Sequence, residues 1–167
     1  MVYTFADLVA ALEALPARVP GAYLDFDASP TDTTVRAWRS EVDGFTVLLM
    51  HPEGPRSLTH APVPAAEAAE IVLAYAIAPP ILAQAGVPAD YIEYESWAWR
   101  HHDPVLIARW AAAGLWDAEI AGMAEYLGLA PTDLQPVLPP GHLDDQLRAL
   151  NLSRALKEAQ AHESESA

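Results

Sequence analysis

The spacing of apolar and polar residues in the first third of the chain predicts one helix followed by a small antiparallel sheet. Residues 4–15 place apolar side chains at helical spacing, and Pro16 closes the segment. Residues 22–28 alternate apolar and polar side chains, which is the period of a half-buried strand. Asp43-Gly44 is a typical hairpin turn between two further runs rich in β-branched and aromatic residues.

This hairpin turn also predicts a register for the two strands that it joins. If Val42 pairs with Phe45, then Trp38 lies opposite Leu49. Residues 29–32 are rich in turn-forming residues, and they predict the connection from the preceding strand into this hairpin.

A helix that covers the sheet is predicted after the last strand. Pro64 is expected at its first helical position, and Glu67 lies early, where a negative charge suits the helix dipole. Pro79 is expected to end this helix, because proline in a helix interior removes a hydrogen bond and clashes with the preceding turn.

A proline-rich connection at residues 79–90 predicts a boundary between two parts of the chain. We expect an α+β part at residues 1–86 and a mostly helical part at residues 87–160 packed on it, as two domains or as one. The polar residues 161–167 predict a disordered tail. The expected fold class is α+β, a small antiparallel sheet with covering helices followed by a mostly helical C-terminal part.

Capping residues predict the helices of the C-terminal part. Asp103 and Pro104 are expected as the N-cap and first residue of a helix that ends at Gly114. Asp117 is expected to cap the next helix, and a last helix is expected at residues 142–160. In the helix after Asp117, four apolar residues are expected to form one buried stripe: Ile120, Met123, Ala124 and Leu127.

The charge of the chain restricts the kind of partner. It has 23 acidic and 9 basic residues and a formal net charge of −14, and both parts are acidic. Neither part has the stripe of lysine and arginine that phosphate binding needs, which argues against nucleic acid and anionic membranes. The electrostatic field of such an acidic chain would attract a protein with a basic surface.

Composition also bears on location. The chain has no cysteine, which excludes disulfides, thiolate catalysis and cysteine-based zinc sites. The N-terminus lacks the basic region of a signal peptide. The longest apolar run, residues 71–83, is too short to span a bilayer and contains two prolines. We therefore expect a cytoplasmic protein.

The six histidines raise the possibility of a metal site, which their spacing argues against. A second turn centred on Glu53-Gly54 would return residues 56–61 as a short strand. His60 would then lie opposite Val47, which leaves His51 roughly 13 Å away along its strand. His101 and His102 are adjacent, so their side chains diverge. We also find no glycine-rich phosphate loop and no nucleophile motif. The sequence therefore predicts no metal site, no cofactor and no catalytic residue.

The stretch ARWAAAGLWDAEIAGMAEYLGLAPTDLQ, residues 108–135, resembles the helix-turn-helix of repressor-like regulators. The resemblance implies DNA binding through a reading helix with the sequence PTDLQPVL, residues 131–138. That segment has no arginine or lysine and contains Asp133 and Pro136. A transcriptional or DNA-associated regulator is therefore an alternative function. The segment lacks the basic side chains that usually contact bases and phosphates in such regulators.

Residues 91–100, YIEYESWAWR, combine aromatic, acidic and basic side chains, the composition of a binding hot spot. Their alternation favours a strand, whereas the order of charges from Asp90 to His102 favours a helix, and we prefer the strand. We hypothesise a partner-binding surface made of these six residues: Tyr91, Glu93, Glu95, Trp97, Trp99 and Arg100.

The function that these observations favour is a non-enzymatic, acidic protein-binding module, such as an inhibitor, an immunity protein or antitoxin, or a chaperone-like adaptor. A third alternative is a small-molecule enzyme. It would need a closed pocket that joins Asp25, Asp27 or His51 to His101. Asp25 and Asp27 lie on one face of a predicted outer strand. Exposure of that face to water explains the two carboxylates without a catalytic role.

Overall fold

The protein has an α+β fold, as predicted, with a four-stranded antiparallel sheet near the N-terminus and a helical C-terminal part. A computed structural model describes residues 3–17, 19, 21–28, 33–135 and 142–166. The strands in these ranges are β1 (Tyr23–Asp27), β2 (Thr34–Arg39), β3 (Phe45–His51) and β4 (Gly54–Ser57). The α-helices are α1 (Phe5–Glu13), α2 (Ala65–Val72), α3 (Ala78–Gln84), α4 (Ala89–Ala98), α5 (Pro104–Ala112), α6 (Ala118–Tyr126) and α7 (Leu143–Ser166). The turn predicted at residues 29–32 lies outside the described residues.

The sheet has the order β1-β2-β3-β4 and carries helices on one face. Val35 and Ala37 of β2 and Phe45 and Val47 of β3 are buried on that face, together with apolar side chains of α1 and α2. The opposite face is more polar. There Arg36 lies over the ring of Tyr23, with 4.1 Å between the guanidinium carbon and the ring centroid.

β2 and β3 form the predicted hairpin, but the predicted register is wrong by three residues. Phe45 pairs with Arg39 and not with Val42, so residues 40–44 form a longer loop. The backbone of Phe45 also exchanges hydrogen bonds with Val63. A slip by an odd number of residues changes which faces of the strands meet. The observed register brings Val35 and Ala37 of β2 to the same buried face as Phe45 and Val47 of β3, and packing against the helices therefore decides it.

β4 is the predicted short returning strand, although its turn lies one residue earlier than expected. His51 pairs with Gly54, and the backbone N–H of Leu58 donates to the carbonyl of Val47. His60 therefore follows the strand and is not opposite Val47, as the predicted turn would have placed it.

The helix that covers the sheet does not end at Pro79. It continues through one π-helical turn, Leu73–Ile77, into α3. The N–H of Ala78 donates to the carbonyl of Leu73, five residues earlier. This wider turn lets Pro79 and Pro80 occupy the first turn of α3, where a helix leaves backbone N–H groups without intrahelical partners. The prediction of a helix end failed because the π turn accommodates both prolines.

This continuous segment, Ala65–Gln84, is long and apolar enough to cross a membrane by length and composition alone, with a mean hydropathy of 1.5. The prediction that the run is too short counted only residues 71–83, whereas the helical segment begins earlier, at Ala65. Half of the segment is buried inside the protein. The core helix of a soluble protein has the same length and composition, so these two properties assign no location.

Residues 91–100 form a helix, so the preference for a strand is wrong. They lie mainly in α4, followed by one 3₁₀ turn at Trp99–His101. Ile92, Glu95, Ser96 and Trp99 are buried, and their spacing of three or four residues is that of one helix face. This face packs against the second half of the protein, which explains why the apparent alternation along the sequence does not determine the structure.

The two predicted caps of the C-terminal helices are confirmed. The carboxylate of Asp103 accepts a hydrogen bond from the N–H of Val105, and that of Asp117 accepts one from the N–H of Ile120. The stripe predicted in α6 is half right, because Ile120 and Ala124 are buried whereas Met123 and Leu127 are exposed. Ala121 takes their place on the buried face.

Buried apolar side chains form two clusters. One joins the sheet, α1, α2 and the π turn, and the other joins α3 to α7. The change from one cluster to the other falls between Ile77 and Ala78, inside the continuous helical segment. The division into parts at residues 86 and 87 stays a prediction. The last helix, α7, continues to Ser166 with exposed side chains after Ser153, beyond its predicted end at residue 160.

Candidate functional site

A cavity of about 430 Å³ opens between α4, the start of α6 and the π turn. Its lining contains four carboxylates and three aromatic rings, and every charged side chain in it is acidic. The lining residues are Tyr75, Glu93, Tyr94, Glu95, Trp97, Ala98, Asp117 and Glu119. The volume lies in the range typical of ligand pockets.

Helix geometry places most of these side chains. Glu93 and Trp97 are four residues apart on α4 and therefore neighbours on its surface, and Tyr94 is three residues from Trp97. Asp117 lies at the cavity because it is the N-cap of α6, and Glu119 lies in the first turn of the same helix. The start of α6 thus contributes two of the four carboxylates, where its helix dipole favours negative charge.

Glu95 is the most unusual group of this cavity. Its side chain is buried, with 6% of the residue surface exposed, and its Oε2 accepts a hydrogen bond of 3.4 Å from the N–H of Ala118. Burial, followed by the neighbouring charges of Asp117 and Glu119, raises the pKa of Glu95 from 4.5 to about 7, although the bond from Ala118 opposes the rise. Near neutral pH this carboxyl group is therefore divided between its neutral and charged forms.

Two aromatic side chains of α4 are exposed at the cavity. Tyr94 has 79% of its surface exposed and Trp97 has 50%. The guanidinium carbon of Arg100 lies 4.7 Å from the centroid of the Trp97 ring, which is the geometry of a cation–π contact. The Nε of Arg100 also donates to the Nε2 of His101 at 3.3 Å.

The six residues of the hypothesised partner-binding surface do not form one surface. Glu93, Trp97 and Arg100 are at least partly accessible. Trp99 is completely buried and lies edge-on to the ring of His102, at 4.9 Å between ring centroids. Glu95 lines the cavity from a buried position, and only part of the Tyr91 surface is exposed. In a strand, positions 97 and 99 would share a face, whereas in this helix they point apart.

Five lining residues of the cavity are not among those that the sequence indicates, namely Tyr75, Tyr94, Ala98, Asp117 and Glu119. A strand at residues 91–100 would place Tyr94 on the face opposite Trp97, and the sequence explains Asp117 as a helix cap alone. A helical interpretation of residues 89–98 would have placed Tyr94 beside Trp97. The positions of Tyr75 and Glu119 depend on tertiary packing, and no local pattern indicates them.

The carboxylates and histidines proposed for an enzyme have separate partners in the structure. Asp25 makes two hydrogen bonds with Arg36, at 2.7 and 2.8 Å, and these hold the pKa of Asp25 below its usual value. A second cavity, of about 380 Å³, is lined by Asp25 and Asp27 but by no histidine. The Nδ1 of His51 accepts from a backbone N–H in the β3–β4 turn, and His101 contacts Glu70 at 3.3 Å. Within the described ranges, no three histidine, aspartate or glutamate residues are grouped to hold a metal ion.

The segment that resembles a helix-turn-helix contains the end of α5 and all of α6. Its expected reading helix is not formed in the part that the structure describes. Residues 131–133 make one 3₁₀ turn, and Leu134 has extended backbone angles. Asp133 accepts hydrogen bonds from the N–H of Ala130 and the Nζ of Lys157, at 2.8 Å each. Residues 136–138 of the expected reading helix lie outside the described ranges.

Comparisons with protein-family models, curated proteins and solved structures find no match to this chain.

Proposed function

We propose that this chain is a protein-binding module that recognises a basic segment of a partner through the face formed by α4 and the start of α6. The observation that carries this proposal is the cavity in that face, which combines four carboxylates with three aromatic rings. Aromatic residues are enriched at binding hot spots, and charge complementarity selects partners of the opposite sign.

The exposure of Tyr94 and Trp97 supports this assignment. Both rings are large and lie at the cavity with half or more of their surface exposed. Burying such rings under a partner removes much apolar area from water at a low cost in side-chain entropy.

The overall charge of the chain supports the same kind of partner. A formal net charge of −14 creates a field that accelerates the approach of a basic surface. This contribution is sensitive to salt, because exposed charges are screened over about 10 Å at an ionic strength of 0.1 M.

The test compares three immobilised forms of the chain: the wild type, the double variant Tyr94→Ala/Trp97→Ala, and the control Met123→Ala/Tyr126→Ala. The control removes two exposed side chains from α6 that do not line the cavity. Proteins captured from a lysate of the native host are quantified by mass spectrometry, and the purified candidate is then titrated by calorimetry.

We expect a basic protein that binds the wild type and the control, and whose affinity falls at least tenfold for the cavity variant. The affinity for the wild type should also fall as salt is added. Equal binding to all three forms, with the variants shown to be folded by circular dichroism, would exclude this face as the binding surface.

A further inference from the structure

The Glu95 carboxylate is buried at the cavity with most of its hydrogen-bonding capacity unused. Its side chain lines the cavity, and its Oε2 holds one bond of 3.4 Å from the N–H of Ala118. Among the described residues, no other donor bonds to this carboxylate. A charged carboxylate can accept about four hydrogen bonds, so the fold leaves acceptor capacity at a buried position that borders an open cavity.

The charges around Glu95 add to the cost of burying its carboxylate. Glu93, Asp117 and Glu119 line the same cavity, and none of its charged side chains is basic. Like charges in a partly desolvated site repel one another, and a cation bound among them would remove this repulsion. The cavity therefore has the electrostatics of a site for a positively charged group.

The aromatic side chains add a second and independent feature. Tyr75, Tyr94 and Trp97 line the cavity beside the carboxylates, and aromatic ring faces attract cations. Trp97 already makes such a contact with Arg100. A long basic side chain has an apolar stem and a charged head, which match aromatic walls and a buried carboxylate respectively.

We infer that the cavity binds a single cationic side chain, an arginine or a lysine, of the partner protein. This inference rests on the proposed function and identifies the chemical group that the partner inserts. A planar guanidinium can donate two bonds to one carboxylate while it stacks on an aromatic ring, so arginine is the stronger candidate of the two.

The experiment uses the complete chain labelled with ¹⁵N and two capped amino acids, Nα-acetyl-L-arginine methylamide and its neutral analogue, Nα-acetyl-L-citrulline methylamide. The indole N–H signal of Trp97 is assigned by its loss in Trp97→Phe. Each compound is titrated at pH 8, where the Glu95 carboxylate is charged. We expect a saturable shift of the Trp97 signal with the arginine compound and none with the citrulline compound. The corresponding lysine compound should also bind, more weakly.

Charge-removing variants locate the binding site. Glu95→Gln and Glu119→Gln should each weaken binding of the arginine compound, by roughly tenfold for Glu95, because a hydrogen bond to a charged group is lost. Glu119 is exposed, so its variant keeps the test valid if Glu95→Gln perturbs the fold. Glu53→Gln is the matched control, because it removes the same charge from the exposed β3–β4 turn and should leave binding unchanged.

The outcomes separate this inference from the proposed function. Equal shifts with both compounds, or no shift with either, would overturn the cation site. If Tyr94→Ala/Trp97→Ala also loses the partner in that case, the proposed function stands without the cation site. If arginine binds selectively but the partner is still captured by that double variant, the cavity is not part of the interface, and both assignments fail.

Discussion

The side-chain oxygen of Gln146 accepts a hydrogen bond of 2.8 Å from the backbone N–H of Asp117, which ties the last helix to the residue that caps α6. The same oxygen accepts a second bond of 2.8 Å from the N–H of Trp116. The Nε2 of Gln146 donates to the hydroxyl of Tyr91 at 3.0 Å. One buried amide on α7 thus joins α4 to the start of α6, the two elements that form most of the cavity.

We expect Gln146→Ala to destabilise the protein by about 3 kcal/mol or more, because two buried N–H groups lose their acceptor and a small cavity remains. The free energy of unfolding is measured by urea titration. Gln160→Ala, at an exposed position on the same helix, should change it by less than about 0.5 kcal/mol. A similar small effect at Gln146 would show that the bonds to Trp116 and Asp117 do not hold the helices together.

The raised pKa of Glu95 predicts a change of stability with pH. The folded state holds this proton up to about pH 7, whereas the unfolded chain loses it near pH 4.5. The folded state therefore binds more protons between these values, and the contribution of Glu95 to stability falls as pH rises through this window, by up to about 3 kcal/mol.

Glu95→Gln should remove this decline. The measurement is the free energy of unfolding of wild type and variant at several values between pH 4.5 and pH 8. Burial lowers the pKa of His102, so its contribution to stability changes in the opposite direction, but it is present in both proteins and cancels in the difference. A difference between the two proteins that does not vary with pH would contradict the raised pKa.

Trp97 and Trp99 should differ strongly when each is replaced by alanine. Trp99 is completely buried, so Trp99→Ala should cost about 3–5 kcal/mol. Trp97 is half-exposed, and Trp97→Ala should cost about 1 kcal/mol or less. Thermal unfolding followed by circular dichroism compares the two, and equal losses would contradict the helical arrangement of α4.

Gly44 and Gly54 form a matched pair that tests the hairpin loop. Both have a positive φ, +121° and +128°, which non-glycine residues rarely adopt. A side chain at Gly44 would also meet the carbonyl oxygen of Val63 at 3.0 Å, whereas nothing lies within 4 Å at Gly54. We expect Gly54→Ala to cost roughly 1–2 kcal/mol and Gly44→Ala clearly more. Equal costs in urea titrations would mean that the contact with Val63 does not constrain this loop.

Much of the fold could be predicted because local chemistry determines it. The caps at Asp103 and Asp117 are correct because a carboxylate in the residue before a helix satisfies free N–H groups through contacts only two or three residues away. The prediction of the hairpin is also correct, because its turn residues act locally in the same way. Its register is not, because it depends on which faces of β2 and β3 pack against α1 and α2.

The candidate site was only partly predictable. Glu93, Glu95 and Trp97 were selected from the sequence, and all three line the cavity. Their arrangement was misjudged, because aromatic and charged side chains at alternate positions fit a strand and a short helix alike. The choice depends on burial of the face that contains Ile92 and Trp99, and the partners of that face are distant in the sequence.

The sequence by itself therefore determined the fold class, the helix caps, the existence of the hairpin and the acidic charge, because composition and contacts within a few residues decide these properties. Tertiary structure alone decided the hairpin register, the continuation of the covering helix through Pro79 and the helical state of α4. It also brought Asp117 and Glu119 to Glu95. Each of these depends on which apolar faces can be buried together, and that depends on residues far apart in the chain.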